Sequence, residues 1–422
     1  MPILGVFLGL ALVVTVCGLG MCGCRSTPES PNATVAQLTQ INREPVVRIR
    51  LNRNMSRVTL DCDGGMLVRS NSGQSVNLRP PVIVEATADA QRVILRQGQE
   101  QFVVLAQSLA ITPDGDRPIR ADGVYYHGTI VLHVPSVPGG FEMVNHVKME
   151  DYLPGVLDGE LYSSWHPVAF QAQAIAARSY AIAEMARTRK RHYDLEASQS
   201  SQMYHGASER SKSIDSVRTT RGMVLVYRGT IVTAYYSSCT GGFGQDAAIA
   251  FPNGPDIPPL RGRVQGSWGG ASKYYRWGPI QRDRATLARQ IAEWGRQKPH
   301  AVAGLKGLSA VQVSKRNRTG RPAEFTVIDE TGQSFRLDPE SFRFACNYNS
   351  PTLPGLAADQ ILRSSHVTVS VSSRWVTFSD GHGFGHGVGM DQHGAQAMAT
   401  HNYSAKAILG FYYPEAQLVK AY

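Results

Sequence analysis

Between about residues 45 and 147, apolar and polar side chains alternate over short runs. The stretches "VVRIRL", "RVTLDC", "RVILRQ", "QFVVLA" and "TIVLHV" each place apolar residues on one face of a strand. Turns at Asp63-Gly64-Gly65 and Asp114-Gly115-Asp116 separate them. The period changes at Met149. "MEDYLPGVLDGELY" predicts a short helix whose early acidic residues suit the helix dipole. Pro167 then stands where a first helical turn tolerates proline, and Val168, Ala172, Ile175, Ser179, Ile182 and Ala186 follow at helical spacing. A stripe of mostly small residues lets another backbone approach closely, so this helix is expected to be central.

Next, "GMVLVYRGTIVTAYYSSCTGG" predicts a β-hairpin turning at Arg228-Gly229. Tyr235 and Tyr236 read as alternating strand residues, one in and one out, and the strand runs into a Ser-, Thr- and Gly-rich loop. Residues 246–305 hold Pro- and Gly-rich loops and one helical pattern, "RATLARQIAEWGRQ". Strands follow at "SAVQVS", "EFTVID", "HVTVSV" and "RWVTFS". Near the end, the glycine-dense "GHGFGHGVGMDQHGAQAMA" opens a helix, and a second helix has Ser404 as N-cap and stops at Pro414. The fold class is therefore α+β: a β-rich N-terminal region, central helices, further strands and C-terminal helices.

At 422 residues the chain is long enough for one large or two smaller domains. An excess of 43 Lys and Arg over 33 Asp and Glu gives a net charge of +10, which favours acidic partners. The basic residues are scattered, and the densest run, "RTRKRH" at 187–192, reads as the solvated end of the Ala-rich helix; no nucleic-acid module is recognisable. Residues 1–24 contain no charged side chain and read as an export signal or as a membrane or lipid anchor. Cys24 loosely resembles a bacterial lipoprotein cleavage site. A polar linker over 25–44 follows, then a folded part over 45–420, divided into a β-rich 45–147 and a cleft-forming 148–420. The folded part is expected in an extracytoplasmic space, the periplasm or cell envelope. There Cys62, Cys239 and Cys346 form an odd set, compatible with one disulfide, Cys239 with Cys346 as a candidate pair, and one buried thiol.

Four segments rich in small and polar residues carry the candidate chemistry: Glu160 to Trp165, Ser200 to Gly206, Ser237 to Gly242 and Gly381 to Gly394. His382, His386 and His393 have metal-ligand spacing only if helical, and the glycines between them argue against a helix; no metal and no cofactor are expected. Ser237 and Ser238 lack the strand-turn-helix elbow of a serine hydrolase, and Cys239 reads as a buried or bridged cysteine rather than a nucleophile. Glu160 has the more specific case. Leu157, Leu161 and Trp165 would desolvate its carboxyl and raise its pKa, leaving an acid able to protonate a leaving oxygen. Asp158 is too near in sequence to be an obvious second carboxylate of a glycosidase pair.

"EDYLPGVLDGE", "AFQAQAIAARSYA", "SQMYHG", "AYYSSCTGG" and "GHGFGHGVGMDQHGAQAMA" occur in this order, led in by "YYHGTIVLHV" and "FEMVNHVKMEDYL". Together they resemble the stage II sporulation protein D family, which includes amidase-enhancer proteins, over roughly residues 45–420. The resemblance implies a peptidoglycan lytic transglycosylase that cleaves the β-1,4 bond after N-acetylmuramic acid, preferring strands without stem peptides. It implies Glu160 as the acid, which then acts as base on the muramic C6 hydroxyl to give a 1,6-anhydro end. It also implies cleft-wall roles for Gln202, Tyr204, Ser237, Ser238, His386, Gly387, Gln392 and Gly394, in binding sugar groups and ordering Glu160. Cys239 and His393 depart from the residues common at their positions, a small residue and an aromatic. Some members hold zinc through Cys and His ligands, and no matching cluster is present in this sequence. The expected partners are peptidoglycan glycan strands, a cell-wall amidase and, through the N-terminal segment, a membrane, with no nucleic acid. Two other readings stand beside this one: a non-catalytic wall-binding protein that recruits or enhances an amidase and, more remotely, a metal-dependent wall hydrolase using the His-rich loop.

Overall fold

The alternating runs pair into two sheets in the computed structural model, which describes residues 43–87, 92–134, 140–350 and 352–422. The 7-stranded sheet runs, in space, Leu195–Glu196, Val46–Met55, Phe141–Lys148, Thr129–His133, Ser108–Pro113, Met66–Ser70, Ser75–Leu78. The 6-stranded sheet runs Val124–Tyr126, Ile119–Ala121, Arg57–Asp61, Val82–Ala86, Arg92–Gln97, Glu100–Leu105. Pairing is antiparallel except where Leu195–Glu196 lies parallel to Val46–Met55. Period-two patterning works as expected: Val47 and Ile49 of one sheet and Val58, Leu60, Val93 and Leu95 of the other fill a shared core. Each such buried side chain contributes about 1.5–3 kcal/mol. Phe141–Lys148 carries no clean alternation because Val144 and Asn145 are both buried, so both of its faces are covered.

Eight helices follow among the described residues: α1 (Met149–Glu160), α2 (Pro167–Arg187), α3 (Ser211–Thr219), α4 (Ala247–Ala250), α5 (Arg284–Gln297), α6 (Pro339–Cys346), α7 (Gln392–Thr400) and α8 (Ala405–Tyr412). The helix expected at Pro167 is buried nearly all round, not along a stripe. Phe170, Ala174, Ala177 and Ile182 of α2 enter the core shared with the sheets. Ala169, Ala172, Ile175 and Ala176 enter a second core with Ile408 and Leu409 of α8 and Met398 of α7. Its one charged side chain at full depth, Arg178, is bonded to Glu150 of α1 at 2.7 Å and donates to Met223 O. The β-rich part is thus continuous with the helical part. A third core, built on α5, α6 and the strands Ala310–Arg316, Pro322–Ile328, Ser334–Leu337, Thr368–Val371 and Trp375–Ser379, fills the stretch that was hardest to read.

The hairpin turns at Arg228 and Gly229, both at positive φ, but its second strand, Thr230–Ile231, is short. The chain leaves it and pairs Tyr236–Ser237 in parallel with Met390–Asp391, so Tyr235 and Tyr236 do not alternate along one strand. Cys239 and Cys346 are not bridged: with Cys62 they are free thiols, Cys239 beside Gly269 O and Cys346 inside the third core. The expected export or anchor segment and residues 25–42 of the linker lie outside the described residues. Glu44, at the linker's end, already belongs to the fold, bonded to Arg221 and to the Glu150 amide. No helix of the described residues is long and apolar enough to cross a membrane.

Candidate active site

The four segments singled out in the sequence meet at one cleft of ≈ 570 Å³. Glu160 comes from the end of α1, Tyr162 and Trp165 from the loop that follows it, and Ser201 and Met203 from the second segment. Tyr236, Ser237 and Ser238 come from the third, and Gly385, His386, Gln392 and His393 from the fourth.

Glu160 closes α1 at the floor of this cleft. Its Oε1 accepts from the Met203 amide at 2.9 Å and its Oε2 from the Gln392 side-chain amide at 3.1 Å. Burial raises its pKa, and the bonds from Met203, Gln392 and the Tyr236 hydroxyl oppose that rise without cancelling it. The result is a carboxyl held in one orientation that keeps its proton to higher pH than a free glutamate. Behind it runs a chain of buried donors: Tyr152 donates to Gln202 Oε1 at 3.0 Å, and Gln202 Nε2 donates to Tyr236 Oη at 2.9 Å. With Gln202 occupying its lone pair, the Tyr236 proton is free to point at Glu160. Burial pushes the Tyr236 phenol well above its ordinary value, so it stays a donor.

The glycine-dense loop is extended, and four glycines explain why. Gly383, Gly385, Gly387 and Gly389 all have positive φ, where an L side chain is strained. A Cβ at Gly389 would lie 2.0 Å from Tyr235 O, and one at Gly383 2.6 Å from Cys239 O. The loop therefore threads against the 235–239 segment and delivers Gln392 to Glu160. His382, His386 and His393 are sent apart. His382 stacks on His366, His386 sits edge-on to Phe251, and His393 stands edge-on to Trp165 at 4.9 Å. Among the described residues no group of three or more His, Cys, Asp or Glu is placed to hold a metal ion. Burial lowers the His386 pKa to about 4, so it is uncharged at neutral pH.

The expected wall residues divide. Ser237, Ser238, His386 and Gln392 line the cleft. Gln202 and Tyr204 do not: both are buried behind it, Tyr204 donating to Asn145 at 3.0 Å. Gly387 packs on the Arg321 guanidinium and Gly394 on the Tyr412 hydroxyl, both away from the lining. Ser237 Oγ is buried and has no hydrogen-bond partner. Asp158, the other carboxylate among the described lining residues, is already bonded to Ser208, Ser213 and Arg210.

Sequence reasoning passed over three residues. Tyr236 was read as a strand residue. Tyr162, exposed at the rim, forms an aromatic shelf with Trp165 and His393. Arg343 reaches the cleft from α6, a helix whose Asp338 cap and Pro339 start were legible signals. It pairs with Glu340, which also feels the fully buried Arg321. Burial works to raise the Glu340 carboxyl, but its bonds and ion pair with Arg343 and the charge of Arg321 outweigh it and hold it below its ordinary value.

The comparisons with known proteins agree with the resemblance carried by the motifs. Residues 138–227, which include Glu160, match the Stage II sporulation protein (SpoIID) family. The chain is 26% identical over 344 residues to the Amidase enhancer of Bacillus subtilis, covering 76% of this chain and 48% of that protein. It is 27% identical over 306 residues to the Stage II sporulation protein D of the same organism, covering 69% of this chain and 80% of that one. The chain thus spans about half the length of the amidase enhancer it matches.

Proposed function

We propose that the protein acts on the bacterial cell wall as a peptidoglycan lytic transglycosylase, on glycan strands stripped of stem peptides. The observation that carries this reading is Glu160: a single desolvated carboxyl, fixed through both oxygens at the floor of a cleft that, among the described residues, offers no free second carboxylate. Such a group suits a reaction whose nucleophile comes from the substrate. Protonated Glu160 donates to the oxygen linking muramic C1 to the next sugar, and the C1–O bond breaks with the alcohol leaving. Glu160, now a carboxylate, takes the proton from the muramic C6 hydroxyl as O6 bonds to C1. The ring closes, the acid is regenerated and no water is consumed. The Tyr162, Trp165 and His393 shelf supplies apolar contacts of the kind a sugar chain needs. Net charge of +10 suits a carboxylate-bearing polymer, and the apolar residues 1–24 suit export to an extracytoplasmic site.

The test uses the protein and its Glu160→Gln variant on peptide-free strands, with products identified by mass spectrometry. Anhydro-muramic ends from the parent alone support the reading; none from either protein sinks it. Similarity to the amidase enhancer favours a second reading, in which the chain stimulates a wall amidase without cutting. In that case Glu160→Gln stimulates an added amidase as well as the parent does.

A further inference from the structure

Arg343 is the only Lys or Arg among the described residues that line the cleft. Its Nε and Nη2 donate to Glu340 Oε2, and Nη1 donates to no described group. Glu340 also feels the charge of the buried Arg321. Arg321 gives its own donors to the carbonyls of Thr240, Phe243 and Gly385, so it is fixed behind the wall. Across the cleft Asp158 is bonded to Arg210. The Arg343 guanidinium, with Nη1 unengaged, therefore faces the space where a substrate would lie.

A guanidinium with an unengaged Nη1 in a cleft wall matches a carboxylate. On a muramoyl glycan the carboxylate nearest the sugar ring is that of the lactyl ether. It is free when no peptide is attached and becomes a neutral, bulkier amide when one is. We propose that Arg343 forms a carboxylate subsite that reads the free lactyl group of muramic acid and thereby selects strands without stem peptides. The subsite rests on the glycan-cleaving reading above and gives it a physical source of selectivity. A capped lactyl group would leave Arg343 Nη1 without that acceptor, the situation in which a polar site discriminates most strongly.

The experiment compares peptide-free strands with the same strands whose lactyl carboxylates have been converted to methylamides. Full-length protein is assayed for release of anhydro ends, and Glu160→Gln for binding without cleavage. The expected preference for free over capped strands is about tenfold, the scale of one charge-assisted hydrogen bond. Arg343→Gln, made alone for cleavage and in the Glu160→Gln background for binding, is expected to lower free strands to the level of capped ones, and Arg343→Lys to keep most of the preference. Equal handling of free and capped strands by the parent overturns the proposal, as does a preference that survives Arg343→Gln. If Arg343→Gln does not fold, as a melting curve would tell, the capped strands and Arg343→Lys still decide. Absence of anhydro ends from every strand removes the lyase reading instead; binding then decides the subsite separately, by whether the preference exists and depends on Arg343.

Discussion

Gln392 and Glu160 lie 232 residues apart in the chain, and the Gln392 amide donates to the Glu160 carboxylate at 3.1 Å. The bond ties the first residue of α7 to the last of α1, so the acid is oriented by a loop from the far end of the sequence. Its donor lowers the Glu160 pKa, as does the Tyr236 hydroxyl. Removing either lets burial act with less opposition. Gln392→Leu and Tyr236→Phe are each expected to lower kcat about tenfold or more by loosening the acid, and to move the alkaline limb of the pH–rate profile upward. A limb that shifts downward, or does not move in either variant, contradicts this arrangement.

Burial of Glu160 also has a stability signature. Its folded pKa is raised above the ordinary 4.5, so the folded protein holds this proton more tightly than the unfolded chain does. Below about 4.5 both states are protonated and the carboxyl does no harm. As pH rises through the raised value, the fold must carry a desolvated charge and loses stability. Glu160→Gln is expected to melt higher than the parent at pH 8, with the difference fading towards pH 4. Melting curves across that range check the sign.

Gly155 sets the seat of α1. A Cβ there would lie 1.9 Å from Gly206 O and 2.8 Å from Tyr204 Cε2, both part of the segment behind Glu160. Gly155→Ala is expected to destabilise the protein by about 1–3 kcal/mol in urea unfolding, the range for overpacked sites, and to reduce cleavage by displacing Met203 and Glu160. A variant with parental stability would show that the helix and the loop are not in contact.

The three described thiols are expected to be unbridged, and two of them silent. Burial pushes Cys239 and Cys346 up to about 12, leaving little thiolate at neutral pH. Under native conditions an alkylating reagent should label Cys62 first, and Cys239 and Cys346 only after denaturation. Peptide mapping under non-reducing conditions would expose a Cys239–Cys346 bridge if one formed.

Much of this arrangement was legible in the sequence, for physical reasons that can be named. Period-two runs such as "RVTLDC" and "RVILRQ" gave strands because one face of each meets the core. "RATLARQIAEWGRQ" gave α5 because its apolar residues keep helical spacing behind the Asp283 cap. The four loops of the cleft stood out through glycine and small polar residues. Phe141–Lys148 carries no alternation because it is covered on both faces. Tyr236 does lie in a strand, but its place beside Glu160 is not legible because the partner strand, Met390–Asp391, is distant in the chain and leaves no local period. The disulfide expectation failed because thiol count and compartment say nothing of distance. Arg343 carries no motif; only folding of the third core brings it to the cleft.

The central claim is that Glu160 works alone because the substrate supplies its own nucleophile. The most direct measurement is cleavage of peptide-free glycan strands in water enriched with heavy oxygen, with the new muramic ends examined by mass spectrometry. The account predicts anhydro ends that carry no heavy oxygen, formed by the parent and not by Glu160→Gln. Muramic ends that have taken up heavy oxygen from the solvent would mean that water is the nucleophile, and would contradict it.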